Sequence, residues 1–476
     1  MDFPIFHLDF IGDRLLIAMI AILHVLINHG LAVGLVPIVA YMELIGLKHP
    51  EWDTLAYKIM FVGFIITTTV GALTGVGIWL SASLINPYSI GSLIRVFYGA
   101  WFVEWMVFVT EVILIMIYFL TWKKRKANQK PVDELITKGR HVMIGYFLAV
   151  FSWITMAIIV AILGFMMDPG NWNNDKQFWN GFANPMYVPQ LTFRTFLAYT
   201  TGGVISLCLT MFFTKKDTEI RIKAVRFLSK WIFTFLPLTL IGGYWYYTMI
   251  PQGMTDNMSV ALGTQQFQSY YDSLILILCG ALGAVLVIVG VAYLYPKYTP
   301  HKLAFFIPVL LMFALLGYFE RVREFIRKPY VIGGYMYSNA VRVSDYPLLN
   351  KDGILKHSSF VSTKKVTEEN QVKAGKNVFL IACSRCHTTG GVNSLVTKFD
   401  DMYGNSGEPW NAGAMKAYIS NMHMSRYFMP PFPGNDKEME ALIAYLKDLQ
   451  FNPAPAEGAQ TIGITTEQEI TSTSNH

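Results

Sequence analysis

The sequence predicts an all-α protein: a polytopic transmembrane bundle of about eight spans, followed by a small polar helical domain outside the cytoplasm. Three observations predict it. Of 476 residues, 53% are hydrophobic and only 15% are charged, where a soluble chain carries about a quarter charged residues. The apolar residues gather in runs long enough to cross a bilayer, which takes about 20 residues. Those runs stop near residue 330, and the composition beyond is that of a soluble domain. The net charge of +6 is modest and its basic residues fall in short loops between apolar runs, so it points away from a nucleic-acid partner.

The candidate spans lie near 14–46, 56–83, 92–121, 141–167, 187–213, 227–250, 269–295 and 303–326. The loop after the third holds Lys123, Lys124, Arg125, Lys126, Lys130, Lys138 and Arg140. The loop after the fifth holds Lys215, Lys216, Arg221, Lys223 and Arg226, and the loop after the seventh holds Lys297 and Lys302. Alternate loops are nearly free of cations: Lys176 stands alone between spans four and five, and nothing basic lies between Gln252 and Gln268. Cytoplasmic loops collect Lys and Arg, so both termini are expected outside. Met1 to Gly12 lack a basic leader and a cleavage site, so the first apolar helix is expected to be a retained span.

This organisation divides the chain into a bundle (1–330), a linker (331–365) with Tyr335, Tyr337 and Tyr346 as aromatic anchors, a soluble domain (366–452) with two amphipathic stretches, and a Thr/Ser/Glu-rich tail (453–476) expected to be flexible. Cys208 and Cys279 stand alone in apolar runs and read as small core residues.

The soluble domain carries Cys383-Ser384-Arg385-Cys386-His387, a C-x-x-C-H run for covalent haem attachment. Two thiols add across the haem vinyl groups and the adjacent imidazole becomes an axial iron ligand. Met429, followed by Pro430 and Pro431, offers a thioether as the second; His/Met ligation raises the potential and fills both axial positions. Met422, His423 and Met424 compete for that role. A zinc half-site is the bland alternative, but it needs another Cys or His pair, and only His423 is near in sequence. The flanking pattern, with Gly375 and Phe379 before the motif and an amphipathic Glu438–Leu449 stretch after it, resembles the class I cytochrome c domain. One covalent haem c is expected, on the outer side, where such attachment takes place.

Ionisable groups inside a bilayer are costly and are functional candidates by default. Span one carries His24 and His29, five residues and so about 140° apart on a helix; each suits a separate haem or a structural hydrogen bond. Glu104 and Glu111 lie two turns apart on one face of span three, an arrangement that suits proton conduction or high-spin haem ligation, with structural pairing to arginine as the bland alternative. Span eight ends in Glu320, Arg321, Arg323, Glu324 and Arg327, and the arginines of this group are able to hold haem propionates through bidentate contacts. His141 opens span four and reads as interfacial.

Arg14, Ile22-Leu23-His24-Val25-Leu26 and Tyr41-Met42-Glu43 resemble the first helix of cytochrome bd oxidase subunit I. Ala72-Leu73-Thr74-Gly75, Gly164-Phe165-Met166-Met167-Asp168-Pro169, Asn184-Pro185, Tyr199-Thr200-Thr201-Gly202 and Arg327-Lys328-Pro329-Tyr330 resemble later parts of that family in the same order, over roughly residues 10–330. The resemblance implies a bacterial inner membrane, a high-spin haem b or d on His24, acidic residues near it at Glu104 and Glu111, and a second membrane subunit. It also shows departures. Arg194 stands where the family has a low-spin haem histidine, span seven has no Met or His, and Gly317 stands where a haem-ligating glutamate is expected, with Glu320 the nearest carboxylate. The long external quinol loop is reduced to about residues 251–268, which makes quinol a doubtful partner and a periplasmic redox protein the expected one. The first function expected is a cytochrome c-linked terminal oxidase or reductase. A non-catalytic electron conduit in a larger complex and a structural anchor for the cytochrome c domain are the alternatives.

Overall fold

The computed structural model describes residues 4–127, 138–263, 271–298, 306–404, 407–452 and 460–461. Lys130, Lys302 and the expected flexible tail, apart from Gln460 and Thr461, lie outside them. Among the described residues, seven helices are long and apolar enough to cross a membrane: Asp13–Gly46, Pro50–Ile85, Tyr98–Trp122, Lys138–Met167, Tyr187–Phe213, Glu219–Thr248 and Ile275–Leu294. An eighth helix, Ile307–Ile326, has the length but concentrates Glu320, Arg321, Arg323 and Glu324 in its last two turns. The first two spans are each interrupted by a π-helical segment, Asn28–Leu35 and Thr67–Gly71.

The chain forms two compact units: residues 1–20, 77–93 and 327–476, and residues 21–76 with 94–326. The second is the body of the bundle. Its core is built from Leu35, Ile38, Met42, Ile59, Tyr118, Trp122, Leu148, Leu228 and Ile232. Span five crosses the π segment of span one at closest approach. Gly34 faces Ala198 and Gly202, and Gly30 faces Thr201 and Ile205: a Cβ on Gly202 would lie 2.6 Å from Gly34 Cα, and one on Gly34 would strike the Ala198 carbonyl. Small residues spaced four apart on both helices let the backbones meet, as in membrane helix pairs generally. That contact fixes which side chains share the middle of the bundle, because Arg194 lies one turn before Ala198 and His29 one residue before Gly30.

The first unit unites the N-terminal segment with everything after the last span. Phe6–His7 pair antiparallel with Gln460–Thr461. The N-terminal residues thus meet residues that follow the helix Ile307–Ile326 within one unit. The core of this unit includes Ile5, Tyr337, Val341, Tyr346, Leu349, Ile354, Leu355, Val378, Phe379, Trp410, Phe432, Leu442, Tyr445 and Leu446. Residues 331–365, expected as a linker, are thus part of the core. Tyr330–Ile332 pair with Met336–Tyr337, and the buried Glu438 carboxylate accepts the backbone N–H groups of Ile354 and Leu355, both at 2.8 Å. The domain has more helices than the two amphipathic stretches expected. Leu395–Tyr403 and Ala412–Ser425 join Gln371–Ala382 and Asp436–Phe451.

Two expectations are corrected. Cys208 is buried, but Cys279 is exposed on the seventh span; the lipid-facing side of a membrane helix is as apolar as its core, so hydropathy does not separate them. His141, expected at the interface, is fully buried because Glu43 and Tyr118 supply it with partners.

Candidate functional site

The haem-attachment motif begins where the helix Gln371–Ala382 ends. Cys383 N–H closes that helix on Phe379 O at 2.8 Å, and Cys386 and His387 N–H both return to Cys383 O, at 3.1 and 3.0 Å. One tight turn thus presents both thiols and the imidazole together. Gly375 is required two turns earlier: a Cβ there would collide with the Ala441 backbone of the last helix. Burial pushes the Cys383 thiol up to about 12. Burial, with Lys398 next in weight, holds His387 down to about 4, so the imidazole is neutral, as an iron ligand must be.

The Met429 loop is held by two side chains. His423 Nδ1 donates to Met429 O at 2.6 Å. The Tyr346 hydroxyl donates to Pro431 O at 3.0 Å and accepts from Asn339 Nδ2 at 3.1 Å. Tyr346 also lies within electrostatic reach of Cys383, so thiol and ligand loop converge on one buried ring. His423 is engaged in positioning Met429, Met422 packs against the domain core, and Met424 points outward, 85% exposed. Among the candidates, Met429 is the thioether that the fold prepares. The residues present fit a covalent haem c, which Cys383, Cys386, His387 and Met429 would hold; such a group would supply one-electron transfer.

Sequence reasoning missed the strap that steadies this motif. Asp9 accepts Thr389 N–H at 2.6 Å, Thr389 Oγ1 at 2.5 Å and Gly390 N–H at 3.3 Å. Val392 N–H donates to Phe10 O at 3.3 Å. His7 bridges Asp13 through Nδ1 and Asp9 through Nε2, both at 3.1 Å. Both ring nitrogens face carboxylates, so the ring is an imidazolium. Burial opposes that charge, but Asp13 and Asp9 outweigh it and raise His7 to about 9. Burial likewise opposes the Asp9 charge, but His7 and Thr389 hold it at about 2. The stabilisation from His7 is complete below its ordinary value of 6.5 and is lost as pH rises through about 9. That from Asp9 is complete above 3.8 and is lost as pH falls through about 2. Hydrogen exchange at the Thr389 and Gly390 amides is therefore expected to be slowest between about pH 4 and 6.5 and to quicken toward pH 9, after correction for intrinsic rates. Asp9→Ala leaves buried donors unpaired, which costs about 1–3 kcal/mol per group; it should abolish that protection at every pH.

In the bundle, the structure separates the two histidines of span one. His24 is half-buried; its Nδ1 donates to Gly71 O and lies 3.2 Å from both that atom and Thr74 Oγ1. Its ring lies against Gly75, where a Cβ would come 3.1 Å from His24 Cε1. Nδ1 is thus held from behind while Nε2 makes no hydrogen bond among the described residues. This is the arrangement of metal-ligating histidines generally, in which the other nitrogen bonds to an acceptor that fixes tautomer and ring plane. The residues at His24 fit a haem held through Nε2.

His29 is differently placed. Its Nδ1 donates to Val25 O at 3.1 Å, and its Nε2 accepts from Arg194 Nη1 at 3.2 Å. Arg194 pairs in turn with Glu320 at 2.6 Å, and Arg323 Nε bonds to the other oxygen of Glu320 at 2.9 Å. All are buried or nearly so. Both nitrogens of His29 are hydrogen-bonded in this network, and Glu320 is ion-paired to two arginines. The buried Arg327 belongs to the other unit.

Glu104 and Glu111 share one face of span three. Glu111 accepts from Ser152 Oγ at 2.7 Å and from Thr155 Oγ1 at 3.1 Å, and it is close enough to Glu104 for their charges to interact. The segment that stands for the shortened external loop is pinned to span eight: Asn257 Nδ2 donates to Ile326 O at 3.4 Å, Arg321 Nη1 donates to Ala261 O at 3.1 Å, and the Tyr318 hydroxyl bonds to Leu262 O.

Comparison with known proteins places this geometry. Residues 13–254 match the family described as cytochrome bd terminal oxidase subunit I. Residues 370–446 match the family described as cytochrome c oxidase, cbb3-type, subunit III. Among solved structures, the bd oxidase from Geobacillus thermodenitrificans superposes with a TM-score of 0.56 at 16% identity, covering 71% of this chain and 92% of that one; at that identity the likeness is one of fold. No curated protein sequence matches significantly.

Proposed function

The chain belongs to the cytochrome bd terminal oxidase subunit I family, and from that membership we propose that it is the oxygen-reducing subunit of a cytochrome c-linked terminal oxidase. Family and C-terminal domain together make it a multi-pass, membrane-embedded respiratory electron-transfer protein. The observation that carries the finer reading is His24, its Nδ1 fixed by Gly71 and Thr74 and its Nε2 left open beside Gly75. A high-spin haem b or d, held there by His24, would supply the chemistry of dioxygen reduction.

This chain's own residues do the rest. His24 would hold the group through Nε2, with its ring plane set by Gly71 and Thr74. Glu111, seated by Ser152 and Thr155, and Glu104 one heptad further along hold protons for the reduced oxygen. The C-terminal domain accepts electrons from a periplasmic redox protein, with both termini on that side, in keeping with the alternation of basic loops. Quinol has a small place in this reading, because the external segment is short and pinned to span eight. A second membrane subunit covers part of the apolar surface. The Arg194–Glu320–Arg323–His29 network favours fewer membrane haems than a bundle with histidine at Arg194 would hold.

The test is carbon monoxide binding by the dithionite-reduced complex. An oxidase or reductase must bind it at a non-covalent haem. A complex that holds such a haem but binds no carbon monoxide is a conduit, and the proposal fails.

A further inference from the structure

A second buried cluster lies at the basic-loop end of the bundle, in residues that the haem chemistry leaves unused. His141 opens span four, Glu43 is near the end of span one, and Tyr118 is near the end of span three. Their side chains are at most 1% exposed. His141 Nε2 lies 2.8 Å from the Tyr118 backbone oxygen, and Nδ1 lies 2.5 Å from Glu43 Oε1. The Tyr118 hydroxyl donates to Glu43 Oε2 at 2.8 Å. Gly145 makes room for the Tyr118 ring, since a Cβ there would lie 2.8 Å from it. Asp53, accepting from Trp122 Nε1 at 3.0 Å, lies within electrostatic reach of Tyr118.

The protonation of this cluster follows from its hydrogen bonds. A backbone carbonyl only accepts, so His141 Nε2 carries a proton. A neutral ring would then present a bare lone pair from Nδ1 to a carboxylate oxygen at 2.5 Å, which is repulsive. A further proton must lie between Glu43 and His141, as imidazolium–carboxylate or imidazole–carboxylic acid. The pair therefore holds one proton between its two partners.

Its position gives it a use. Tyr118, Glu111 and Glu104 follow one another at intervals of seven on span three, so they share one face, with about 10 Å of rise per step. On span four, His141, Gly145, Leu148, Ser152 and Thr155 line the facing seam, and the last two hold Glu111. Buried Ile115 and Leu148 form a single apolar turn between the two polar ends. We propose that the Glu43–His141 pair is the proton-loading site for oxygen reduction: it takes a proton from the cytoplasmic side, passes it along the span three–span four seam through water admitted past Ile115 and Leu148 to Glu111, and is reloaded from solvent. One proton enters for each that leaves, and no electron moves. Glu43 and His141 act through Glu111 and do not touch the substrate.

This inference rests on the oxygen-reducing reading, and the experiment separates the two. Fully reduced complex is mixed with oxygen while proton uptake from bulk is followed with a pH dye and haem oxidation by absorbance, for wild type, Glu43→Gln and Tyr118→Phe. General acid–base groups contribute about 10²–10⁴-fold. Proton uptake in Glu43→Gln is therefore expected to slow about a hundredfold and in Tyr118→Phe to a smaller degree, with carbon monoxide binding and haem content unchanged and partial rescue by Glu43→Asp. Redox difference infrared spectra should show a deuterium-sensitive carboxyl band that Glu43→Gln removes. Uptake at the wild-type rate in Tyr118→Phe and in whichever Glu43 variant assembles, or no such band in wild type, overturns the inference. A wild-type complex that binds no carbon monoxide overturns the oxidase reading instead.

Discussion

His24→Ala is expected to remove a membrane haem while leaving the covalent haem c in full amount. The imidazole is presented by the fold and not by chance rotation: Gly71 O and Thr74 Oγ1 hold Nδ1 from one side, and the bare Gly75 backbone lies against the ring. Loss of supporting contacts alone costs roughly 10–100-fold in metal affinity, and loss of the ligand costs more. The reduced-minus-oxidised spectrum of the variant should keep its c-type band and lose the b- or d-type band. Gly75→Val tests the same geometry without touching the ligand, because its side chain enters the space beside Cε1; it should give a smaller loss of the same band. A normal b- or d-type band in His24→Ala would sink the assignment.

Met429→Ala should lower the haem c potential. Axial ligands set haem potentials over about 0.8 V, and loss of thioether ligation is expected to shift this one down by roughly 0.1–0.3 V. Because His423 holds the Met429 carbonyl, His423→Ala should loosen the ligand loop and lower the potential by a lesser amount with Met429 still in place. Potentiometric titration followed in the c-type band measures both. An unchanged potential in Met429→Ala would transfer the ligand role to another residue.

Parts of this were readable from sequence for definite reasons. Spans are long and contiguous, so hydropathy found seven of them; the helix Ile307–Ile326, expected as an eighth, carries charges that weaken its apolar signal. C-x-x-C-H is local chemistry, five adjacent residues with one common use. The long-range contacts were not readable. Asp9 meets Thr389 across 380 positions, and Glu43 meets His141 across 98; no periodicity links such residues. The one usable signal was the spacing of Glu104, Glu111 and Tyr118, which places a hydroxyl on the acidic face. His24 and His29 have different partners in the structure, His24 bonding to Gly71 and His29 to Val25 and Arg194. That Arg194 would engage His29 depended on the crossing of Gly34 with Ala198 and Gly202, which is a property of two helices and not of either alone.

The account's central claim is that this bundle is redox-active and not merely a tether. The direct measurement is a pyridine haemochrome spectrum of the purified protein, which counts haem types per chain. The account predicts one c-type haem together with at least one b- or d-type haem. A single c-type haem and no other would contradict it, reducing the chain to a membrane-anchored cytochrome c on an inherited scaffold.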